Sequence, residues 1–548
     1  MLNIHQRYCK ETYDENGILS KFEAVVPEDY NFAYDVIDEI ARQEPDRRAM
    51  VWCNDEGEER TFTFGDFKRY SDKAANVLKA HGIGKGDKVM LVLKRHYQYW
   101  FAILALHKLG AITIPATHLL TKKDFVYRFN AAGVKAIVCT ADGEVSEHVE
   151  ASLPESPSVE VCFLARGKKD GWVSFDDEVE AASDHFDRVA TKSTDTMLGY
   201  FTSGTTGYPK LVTHNYSYSV AHILTAKHWQ NVKPDGLHFT LSDTGWGKAA
   251  WGKLYGQWFM EASIFVCDFT KFTPVELLPL FGKYHITTFC APPTIYRFFI
   301  KEDLSKFDLS SLEYACIAGE ALNPEVYTQF YNITGLRLME GFGQTESTLL
   351  AVNTVGMIPK PGSMGKSSPQ YDVDIYNEDG TRADNGVVGE ICVKVGDGHP
   401  YGLFEGYYNN QEMTDRVWHD GLYHTGDTAW RDEDGYLWYD GRTDDIIKSS
   451  GYRIGPFEIE SALMEHPSVL ECAITGVPDP IRGQVVKATI VLAKGYTASE
   501  ELKKELQNHV KNSTAPYKYP RVVEFVDELP KTISGKIRRV QLRDSDKK

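Results

Sequence analysis

The sequence predicts an α/β protein with a large amino-terminal domain and a small α+β carboxy-terminal domain. The large domain is expected to hold two parallel-rich sheets flanked by helices, plus a β-barrel-like subdomain. Three observations lead to this prediction. The 548 residues suit roughly three to four domain-sized units. Helix-period stretches alternate with short apolar runs over most of the chain. From about Pro361, turns rich in Gly, Asp and Asn separate short alternating runs instead.

The amino-terminal part carries the alternation of helices and strands. A helix-period stretch from Asp66 to His81 precedes the apolar run from Lys88 to Leu93. Later, residues 286–299 and 314–322 each begin as an apolar, strand-like run. Such alternation predicts parallel sheets, which bind their ligands beyond the carboxyl ends of the strands.

The carboxy-terminal part predicts two further units. Residues 372–395 and 432–442 have the pattern of antiparallel hairpins, so we place the barrel-like subdomain at about 361–440. Beyond it helices and strands return, and one helical face is formed by Leu502, Leu506 and Val510. We predict a boundary near Asp444 that divides residues 1–443 from residues 444–548.

Composition limits the possible partners. The chain is 42% hydrophobic and 25% charged, as in ordinary globular proteins, and its net charge of −17 disfavours a broad nucleic-acid-binding surface. Nine scattered cysteines without a CxxC pair indicate a reducing compartment. The first residues lack an apolar targeting core, and no run reaches the ~18 apolar residues of a membrane span. We therefore expect a cytoplasmic protein without stable membrane insertion.

The segment TSGTTGYPK has the composition of an anion-binding loop. An apolar run ending at Tyr200 leads into it, which predicts that the loop leaves a strand. Its glycines can turn backbone N–H groups toward an anion, and its hydroxyl groups and lysine add donors and charge. The usual triphosphate-binding pattern, GxxxxGK[ST], is absent. The candidate phosphate ligands are Thr202, Ser203, Gly204, Thr205, Thr206, Gly207 and Lys210.

Six motifs in order resemble the adenylate-forming superfamily, which comprises acyl-CoA synthetases, peptide-synthetase adenylation domains and firefly-luciferase-like enzymes. They are YFTSGTTGYPK (200–210), AGEALNPE (318–325), EGFGQTES (340–347), YHTGD (423–427), GRTDDIIKSSGYRIGPFEIE (441–460) and PKTISGKIRR (530–539). The resemblance runs from about residue 40 onward. APPTIYRFF (291–299) and APYKYPR (515–521) are most similar to the medium-chain acyl-CoA synthetase branch.

The resemblance implies a ligase that uses ATP, Mg²⁺ and coenzyme A in fatty-acid metabolism. A carboxylate attacks the α-phosphorus of ATP and pyrophosphate leaves, which demands positioning and cationic stabilisation of phosphoryl oxygens. Phe342 would stack near adenine, and Thr345 would contact the α-phosphate. Besides the phosphate loop, the implied ATP-binding residues are Gly319, Glu320, Ala321, Glu340, Gly341, Phe342, Gly343, Gln344, Thr345, Asp427, Arg442, Arg453 and Lys536.

The resemblance also assigns the catalytic and metal-binding roles. Glu346 and Thr205 would hold Mg²⁺, which prefers oxygen ligands and substrate phosphates. The carboxylate of Asp427 would accept both ribose hydroxyls. The lysine of PKTISGK, Lys536, would stabilise the adenylation transition state, acting with Thr345 and Glu346.

The second half-reaction transfers the acyl group to coenzyme A after the small domain rotates. Its hinge would be Asp444, and Gly451 would let the backbone approach the thiol arm. The implied coenzyme A-binding residues are Trp246, Ser450, Gly451, Tyr452, Arg482, Tyr519 and Arg521.

The acyl pocket is expected to be lined by Trp246 and Gly343. Acetate-specific relatives carry a Trp directly before Gln-Thr-Glu, where this chain has Gly343. Each buried methylene contributes ~0.8 kcal/mol, so the space left by an indole favours acids longer than acetate or propionate. Trp251 and Leu254 are further candidates for the lining, unless other side chains refill the space.

Several other functions share parts of this pattern. They are an acetyl- or propionyl-CoA synthetase, a stand-alone adenylation enzyme that loads a carrier protein, a luciferase-like oxygenase, and an inactive nucleotide-binding regulator. The regulator is disfavoured because Lys536, Glu346, Asp427 and Arg442 are all present, and the few residues after Lys536 disfavour a fused carrier domain. The expected partners are a small carboxylic acid, ATP and coenzyme A, bound by a monomer or homodimer, and no nucleic acid.

Overall fold

The computed structural model describes residues 1–202, 208–320, 322–396, 398–450, 452–532 and 536–546. Within them the strands are β1 Cys9–Tyr13, β2 Leu19–Ala24, β3 Arg48–Asn54, β4 Glu59–Thr63, β5 Lys88–Val92, β6 Ile112–Pro115, β7 Ala136–Thr140, β8 Val161–Ala165, β9 Val173–Ser174, β10 Thr196–Thr202, β11 Lys210–Asn215, β12 Leu237–Thr240, β13 Ser263–Asp268, β14 Thr288–Ala291, β15 Tyr314–Ile317, β16 Leu338–Gly343, β17 Leu349–Val352, β18 Lys366–Ser367, β19 Asp372–Tyr376, β20 Gly389–Lys394, β21 Gly406–Tyr407, β22 Trp418–His419, β23 Leu422–Arg431, β24 Leu437–Arg442, β25 Ile447–Ser449, β26 Tyr452–Ile454, β27 Val469–Asp479, β28 Gly483–Leu492 and β29 Val522–Val526.

The helices in the same residues are α1 Glu39–Gln43, α2 Phe64–Ala80, α3 Gln98–Leu109, α4 Lys122–Ala132, α5 Val145–Ser152, α6 Phe175–Ala181, α7 Ser217–Ile223, α8 Gly247–Gly252, α9 Tyr255–Phe259, α10 Pro274–Leu277, α11 Pro279–Tyr284, α12 Pro293–Phe299, α13 Pro324–Thr334, α14 Gln411–Asp415, α15 Pro456–Met464, α16 Glu500–Ser513 and α17 Arg539–Ser545. Short 3₁₀ turns span Ile4–Arg7, Leu153–Glu155, Leu304–Lys306 and Pro516–Lys518, and π-helical turns span Ala33–Asp38 and Leu224–Trp229. None of the helices described is both long enough and apolar enough to cross a membrane.

Two large sheets confirm the predicted α/β class. One has the strand order β21-β11-β10-β6-β5-β7-β8-β9 and is parallel from β10 to β9. The other has the order β18-β17-β16-β15-β14-β12-β13-β3-β4 and is parallel from β16 to β3. Parallel strands are covered on both faces, and accordingly every residue of β7 and of β13 is buried.

Helices cover these sheets, and local signals set their ends. Helix α2 starts at a capping box in which Thr63 and Asp66 satisfy each other's backbone N–H groups. Helix α3 is buried along its whole length, because its sequence is apolar on every side. Its Trp100 indole donates to the Lys253 carbonyl oxygen at 2.7 Å, which ties α3 to the loop after α8.

The segments predicted as antiparallel hairpins form an antiparallel sheet. Its order is β19-β20-β23-β22, and β24 also pairs with β23. The pairing aligns Asp427 of β23 with Arg442 of β24. Two motifs that lie apart in the sequence therefore face each other.

The last part of the chain forms a separate sheet. Strands β26-β25-β28-β27 are antiparallel, and β29 lies parallel to β28. Leu502, Leu506 and Val510 of α16 are buried in its core, so the predicted helical face is confirmed. The amide of Asn323 donates to the Ser461 carbonyl oxygen at 3.3 Å, which joins α15 to the start of α13.

Candidate active site

Strands from two sheets bring the residues that flank the phosphate loop close to the EGFGQTES motif. Strand β10 ends at Thr202, β11 begins at Lys210, and β16 ends at Gly343. The buried His214 of β11 donates from Nε2 to the carbonyl oxygen of Thr345 at 2.7 Å. Burial lowers the pKa of His214 to about 4, so the ring is neutral at physiological pH. His214 thus positions the predicted α-phosphate ligand.

Tyr407 links Lys210, the lysine of the phosphate-loop motif, to Glu346, the predicted Mg²⁺ ligand. The hydroxyl group of Tyr407 donates to Oε1 of Glu346 at 2.9 Å, and the Lys210 ammonium lies 4.1 Å from the Tyr407 ring centroid. Burial lowers the pKa of Lys210, while the Glu346 charge raises it. Tyr407 thus contacts both the cation and the anion next to the start of β11.

Some predicted residues lie outside the described part of the chain. They are Ser203, Gly204, Thr205, Thr206 and Gly207 of the phosphate loop, together with Ala321 and Gly451. Their proposed roles stay predictions. The flanking Thr202 and Lys210 are half-buried and pair with each other across β10 and β11.

Asp427 is the centre of a buried polar cluster. Its side chain accepts from the Tyr439 hydroxyl group at 3.0 Å and lies 3.6 Å from the Arg442 guanidinium. Burial raises the pKa of Asp427, and the Arg442 charge draws it back down. The second pairing of Arg442, at 3.1 Å, is with Asp444, the predicted hinge residue.

Gln344 connects this cluster to the end of β16. Its amide donates to the Thr425 carbonyl oxygen at 2.8 Å and to the Asp427 carboxylate, and its Oε1 accepts from the Tyr423 hydroxyl group at 2.6 Å. The side-chain nitrogen and oxygen of Gln344 therefore both have partners. Sequence reasoning missed the partners Tyr423 and Tyr439, because buried tyrosines are common and carry no motif of their own.

The predicted adenine segment lies at the surface. Gly319 and Glu320 are exposed, and Gly319 has φ +112°, which favours glycine at this position. Phe342 is half-buried, with its ring centroid 6.1 Å from that of Tyr439. An aromatic face is thus available beside the Asp427 cluster, while Gly341 is buried behind it.

Glu340 is a buried carboxyl group beneath the site. It is 3% exposed, and its Oε1 accepts from the Leu322 N–H group at 3.3 Å. Its Oε2 has no hydrogen-bond partner among the described residues. Burial raises its pKa from 4.5 to about 8, so the group is neutral at physiological pH.

Because Glu340 is buried, we expect it to lower the stability of the fold as the pH rises, and Glu340→Gln should remove this effect. The folded-state pKa is about 8 and the ordinary value is 4.5. The free energy of unfolding of the wild type is therefore highest below pH 4.5 and falls as the pH rises toward 8, by up to roughly 5 kcal/mol. In thermal unfolding, the Tm of the variant minus that of the wild type should grow between pH 5 and pH 8. A difference that stays constant over this range contradicts the assignment.

The space next to Gly343 is filled. A Cβ atom at Gly343 would lie 2.3 Å from the Thr348 carbonyl oxygen and 2.5 Å from the edge of the Trp251 indole. The room that the sequence predicts at this position is therefore occupied by Trp251, which is buried, and Leu254 is buried nearby. Trp246, the other predicted lining residue, is half-buried at the start of α8.

Gly343→Trp is therefore expected to damage the fold rather than shorten the pocket. An indole at this position meets backbone that cannot withdraw, and overpacking of this kind costs typically ~1–3 kcal/mol or more. We expect a clear fall in Tm, measured by calorimetry, with activity lost toward acids of every chain length. A stable variant that has become selective for acetate would contradict this packing.

Lys536, in the carboxy-terminal part of the chain, lies close enough to Asp427 for its charge to act on that carboxyl group. Burial raises the pKa of Asp427, and Lys536 is among the charges that lower it. Burial likewise lowers the pKa of Lys248, and the Lys536 charge lowers it further. The Lys248 ammonium donates to the Ala318 carbonyl oxygen at 2.7 Å. Lys248 is a further cation within reach of the Lys536 charge, and sequence reasoning missed it.

The predicted coenzyme A residues form three small groups. The Ser450 N–H group donates to the Arg482 carbonyl oxygen at 2.9 Å. Tyr452 stacks on Tyr517 with ring centroids 4.1 Å apart. The Arg521 guanidinium donates to the Tyr519 hydroxyl group at 2.7 Å.

Arg453, predicted to bind phosphate in the adenylating arrangement, pairs with Glu378 in the turn after β19. The structure thus brings the predicted nucleotide residues together more completely than the predicted coenzyme A residues.

Lys210, Glu346, Asp427 and Lys536 are the positions at which the resemblance to adenylate-forming enzymes implies a phosphate-loop lysine, an adjacent carboxylate, a ribose-binding carboxylate and a lysine from the carboxy-terminal part of the chain. The sequence matches the AMP-binding enzyme family over residues 37–408 and the AMP-binding enzyme C-terminal domain over residues 458–536. The chain belongs to the AMP-binding enzyme family.

Relatives in sequence and structure agree with this assignment. The chain is 43% identical to rat acyl-coenzyme A synthetase ACSM4, mitochondrial, over 99% of this chain and 95% of the relative. It is 41% identical to human acyl-coenzyme A synthetase ACSM3, mitochondrial, over 96% and 91%. Among solved structures, the anthranilate CoA ligase AuaEII with anthranoyl-AMP has a TM-score of 0.86 at 27% identity, covering 95% of this chain and 98% of that one. An acyl-CoA synthetase from Brucella canis has a TM-score of 0.71 at 31% identity, covering 94% of each.

The relatives contradict the predicted cytoplasmic location. The ACSM relatives from rat, mouse and human are mitochondrial by name. The prediction was wrong because cysteine usage reports a reducing compartment, which a mitochondrial interior shares with the cytosol.

Proposed function

We propose that this chain is an AMP-forming carboxylic acid:CoA ligase acting on a medium-chain acid or another acid longer than propionate. It joins the acid to AMP with release of pyrophosphate, and then transfers the acyl group to coenzyme A. The single observation that carries the proposal is one continuous polar site, in which Lys210 and Glu346 both contact Tyr407 and Asp427 pairs with Arg442 within reach of the Lys536 charge. Acyl-CoA synthetase relatives at 41–43% identity support it.

The nucleotide is held by groups that are already fixed in place. Asp427 offers carboxylate oxygens to the ribose, and its orientation is set by Tyr439 and Gln344. Phe342 offers an aromatic face to the adenine. His214 fixes the Thr345 backbone, so the side chain beside the α-phosphate needs little reorganisation in the transition state.

Mg²⁺ fits the donor set at Glu346. One carboxylate oxygen is held by Tyr407, and the other has no partner among the described residues, so it is available as the oxygen ligand that Mg²⁺ prefers. Bound there, the ion would neutralise phosphate charge. Thr205, the second proposed ligand, lies outside the described residues.

Lys536 supplies the mobile cation. We propose a boundary near Asp444, about which the segment carrying Lys536 swings toward and away from the site. In this structure Lys536 is near Asp427, and the ion pair between Asp444 and Arg442 at 3.1 Å would stabilise that position of the segment. The residues proposed here all come from one chain, so a monomer and a homodimer would both contain complete sites.

The acyl chain should run past Trp251. We propose a medium-chain acid because the similar relatives include several ACSM synthetases, and because acyl selectivity must be set by Trp251 rather than by the absence of a side chain at Gly343. Trp251 lies in an aromatic cluster: its ring centroid is 6.3 Å from that of Trp229 and 6.0 Å from that of His222.

Product analysis across a panel of acids tests the function. Wild-type protein with ATP, Mg²⁺, coenzyme A and acids from two to twelve carbons should form AMP and acyl-CoA, with a maximum beyond three carbons. A maximum at acetate or propionate would support the short-chain alternative. Acyl-adenylate that accumulates without thioester, even with coenzyme A present, would support the carrier-loading enzyme. ATP binding without AMP formation would support an inactive regulator.

A further inference from the structure

We propose that Tyr407 is a positioning residue that keeps Lys210 and Glu346 apart and oriented, so that each stays available to Mg·ATP. The inference rests on the proposed function, because it assigns these two side chains to phosphate and metal. Neither the sequence motifs nor the family match singles out Tyr407 for a role.

The backbone fixes Tyr407 between the two motifs. Strand β21 pairs with β11, which aligns Tyr407 with Val212 two residues beyond Lys210. The Tyr407 N–H group also donates to Thr414 Oγ1 at 2.9 Å. On the other side, the Phe404 N–H group donates to the Glu346 carbonyl oxygen at 2.8 Å.

The ring itself has little freedom. Tyr407 is 7% exposed, and its ring packs on Phe404 with centroids 5.0 Å apart. The Tyr407 hydroxyl group is the donor to Glu346, because a carboxylate oxygen only accepts. Its hydrogen bond to Glu346 Oε1, at 2.9 Å, is therefore charge-assisted.

The aromatic face serves the cation. The Lys210 ammonium lies 4.1 Å from the ring centroid, within the range of a cation–π interaction. A ring stabilises the ammonium without neutralising it, which leaves its N–H donors free for phosphate oxygens. A carboxylate partner would instead consume both charge and donors.

The separation of the two charges is the point of the arrangement. No ion pair joins Lys210 and Glu346 in the part of the chain that is described, although both side chains contact Tyr407. Removing the phenol would let the two side chains collapse into a salt bridge, and Mg·ATP would then have to break it. Tyr407 thus prevents the empty site from neutralising itself.

Two substitutions separate the roles of the hydroxyl group and the ring. Tyr407→Phe removes only the hydrogen bond, and Tyr407→Leu also removes the aromatic face. The matched control is Tyr408→Phe, since Tyr408 is the next residue and its ring lies 5.4 Å from the Lys88 ammonium. The readouts are calorimetric binding of Mg·ATP at several Mg²⁺ concentrations, and acid-dependent exchange of labelled pyrophosphate into ATP.

Tyr407→Phe should raise the Mg²⁺ concentration for half-maximal exchange by about tenfold, the scale for a hydrogen bond to a charged group. The KM for the carboxylic acid should change less than twofold, and excess Mg²⁺ should restore the rate. Tyr407→Leu should also weaken Mg·ATP binding at saturating Mg²⁺. Tyr408→Phe should behave as wild type.

Two results overturn the inference in distinguishable ways. If wild type binds Mg·ATP and Tyr407→Phe has the same Mg²⁺ dependence, the coupling is wrong and the proposed function stands. If the wild type binds no Mg·ATP, the proposed function and the coupling fail together. If wild type binds Mg·ATP but shows no exchange, the calorimetric comparison still decides whether Tyr407 acts on the metal.

Discussion

Lys536→Ala is expected to lose ~10²–10³-fold or more in adenylate formation, the scale for removing a preorganised charge donor. Besides the effect of burial, the charge of Lys536 lowers the pKa of both Asp427 and Lys248, so its ammonium is near the proposed nucleotide site. Its backbone is held in place because its N–H group donates to Thr532 Oγ1 at 3.1 Å. The measurement is the rate of acid-dependent pyrophosphate exchange into ATP.

The control for this prediction is a second lysine of the same segment. Lys531 is also exposed but pairs with Glu471 at 2.8 Å, so Lys531→Ala should keep nearly full exchange. When acyl-adenylate is supplied directly, Lys536→Ala should still form thioester at close to the wild-type rate. Equal loss in both half-reactions would show that Lys536 supports the fold rather than the adenylation step.

Trp251→Ala is expected to shift acyl selectivity toward longer acids. The Trp251 indole fills the space beside Gly343, and its removal leaves room for several methylenes. Each one buried contributes ~0.8 kcal/mol, or about fourfold, so three add roughly 50-fold to the ratio of kcat/KM values for a long over a short acid. The cavity should also cost about 3–5 kcal/mol of stability.

The measurement is kcat/KM along a series of straight-chain acids. Trp430→Ala is the matched control. Trp430 stacks on Trp438 in the antiparallel sheet with ring centroids 5.4 Å apart, so the only feature that the two variants have in common is the loss of an indole. It should lose stability without changing selectivity. An unchanged chain-length profile in a folded Trp251→Ala protein would place the acyl chain elsewhere.

Local sequence patterns predicted the fold and the ends of the site well. The apolar run before Thr202 became β10, and the predicted face of α16 is buried as Leu502, Leu506 and Val510. These features depend on periodicity and on turns, which are properties of neighbouring residues. Asp427 and Arg442 were predicted separately, and strand pairing aligned them.

The residues that hold the site in place could not be found in this way. Tyr407, Tyr423 and His214 contact the segment that follows β16, and Tyr439 contacts Asp427 on the neighbouring strand β23. A tyrosine or histidine that is buried by tertiary packing leaves no periodic or spacing pattern in the sequence. Their roles appear only when the strands are paired.

The volume of the acyl pocket also could not be predicted from the sequence. Gly343 correctly marks the absence of one side chain, but the space is refilled by Trp251, 92 positions earlier in the chain. Interiors are close-packed, so a missing group at one position is usually replaced by atoms from another. Arg453 shows the same limit for a charged side chain, because its guanidinium pairs with Glu378, which is distant in the sequence and lies in the turn after β19.

Pyrophosphate exchange with the wild-type protein tests the central claim most directly. The protein, Mg·ATP, labelled pyrophosphate and one carboxylic acid at a time are incubated without coenzyme A. Label should enter ATP only when a suitable acid is present, because the adenylation step is reversible and precedes thioester formation. Label that never enters ATP with any acid, or that enters only after coenzyme A is added, would contradict the proposed two-step ligase.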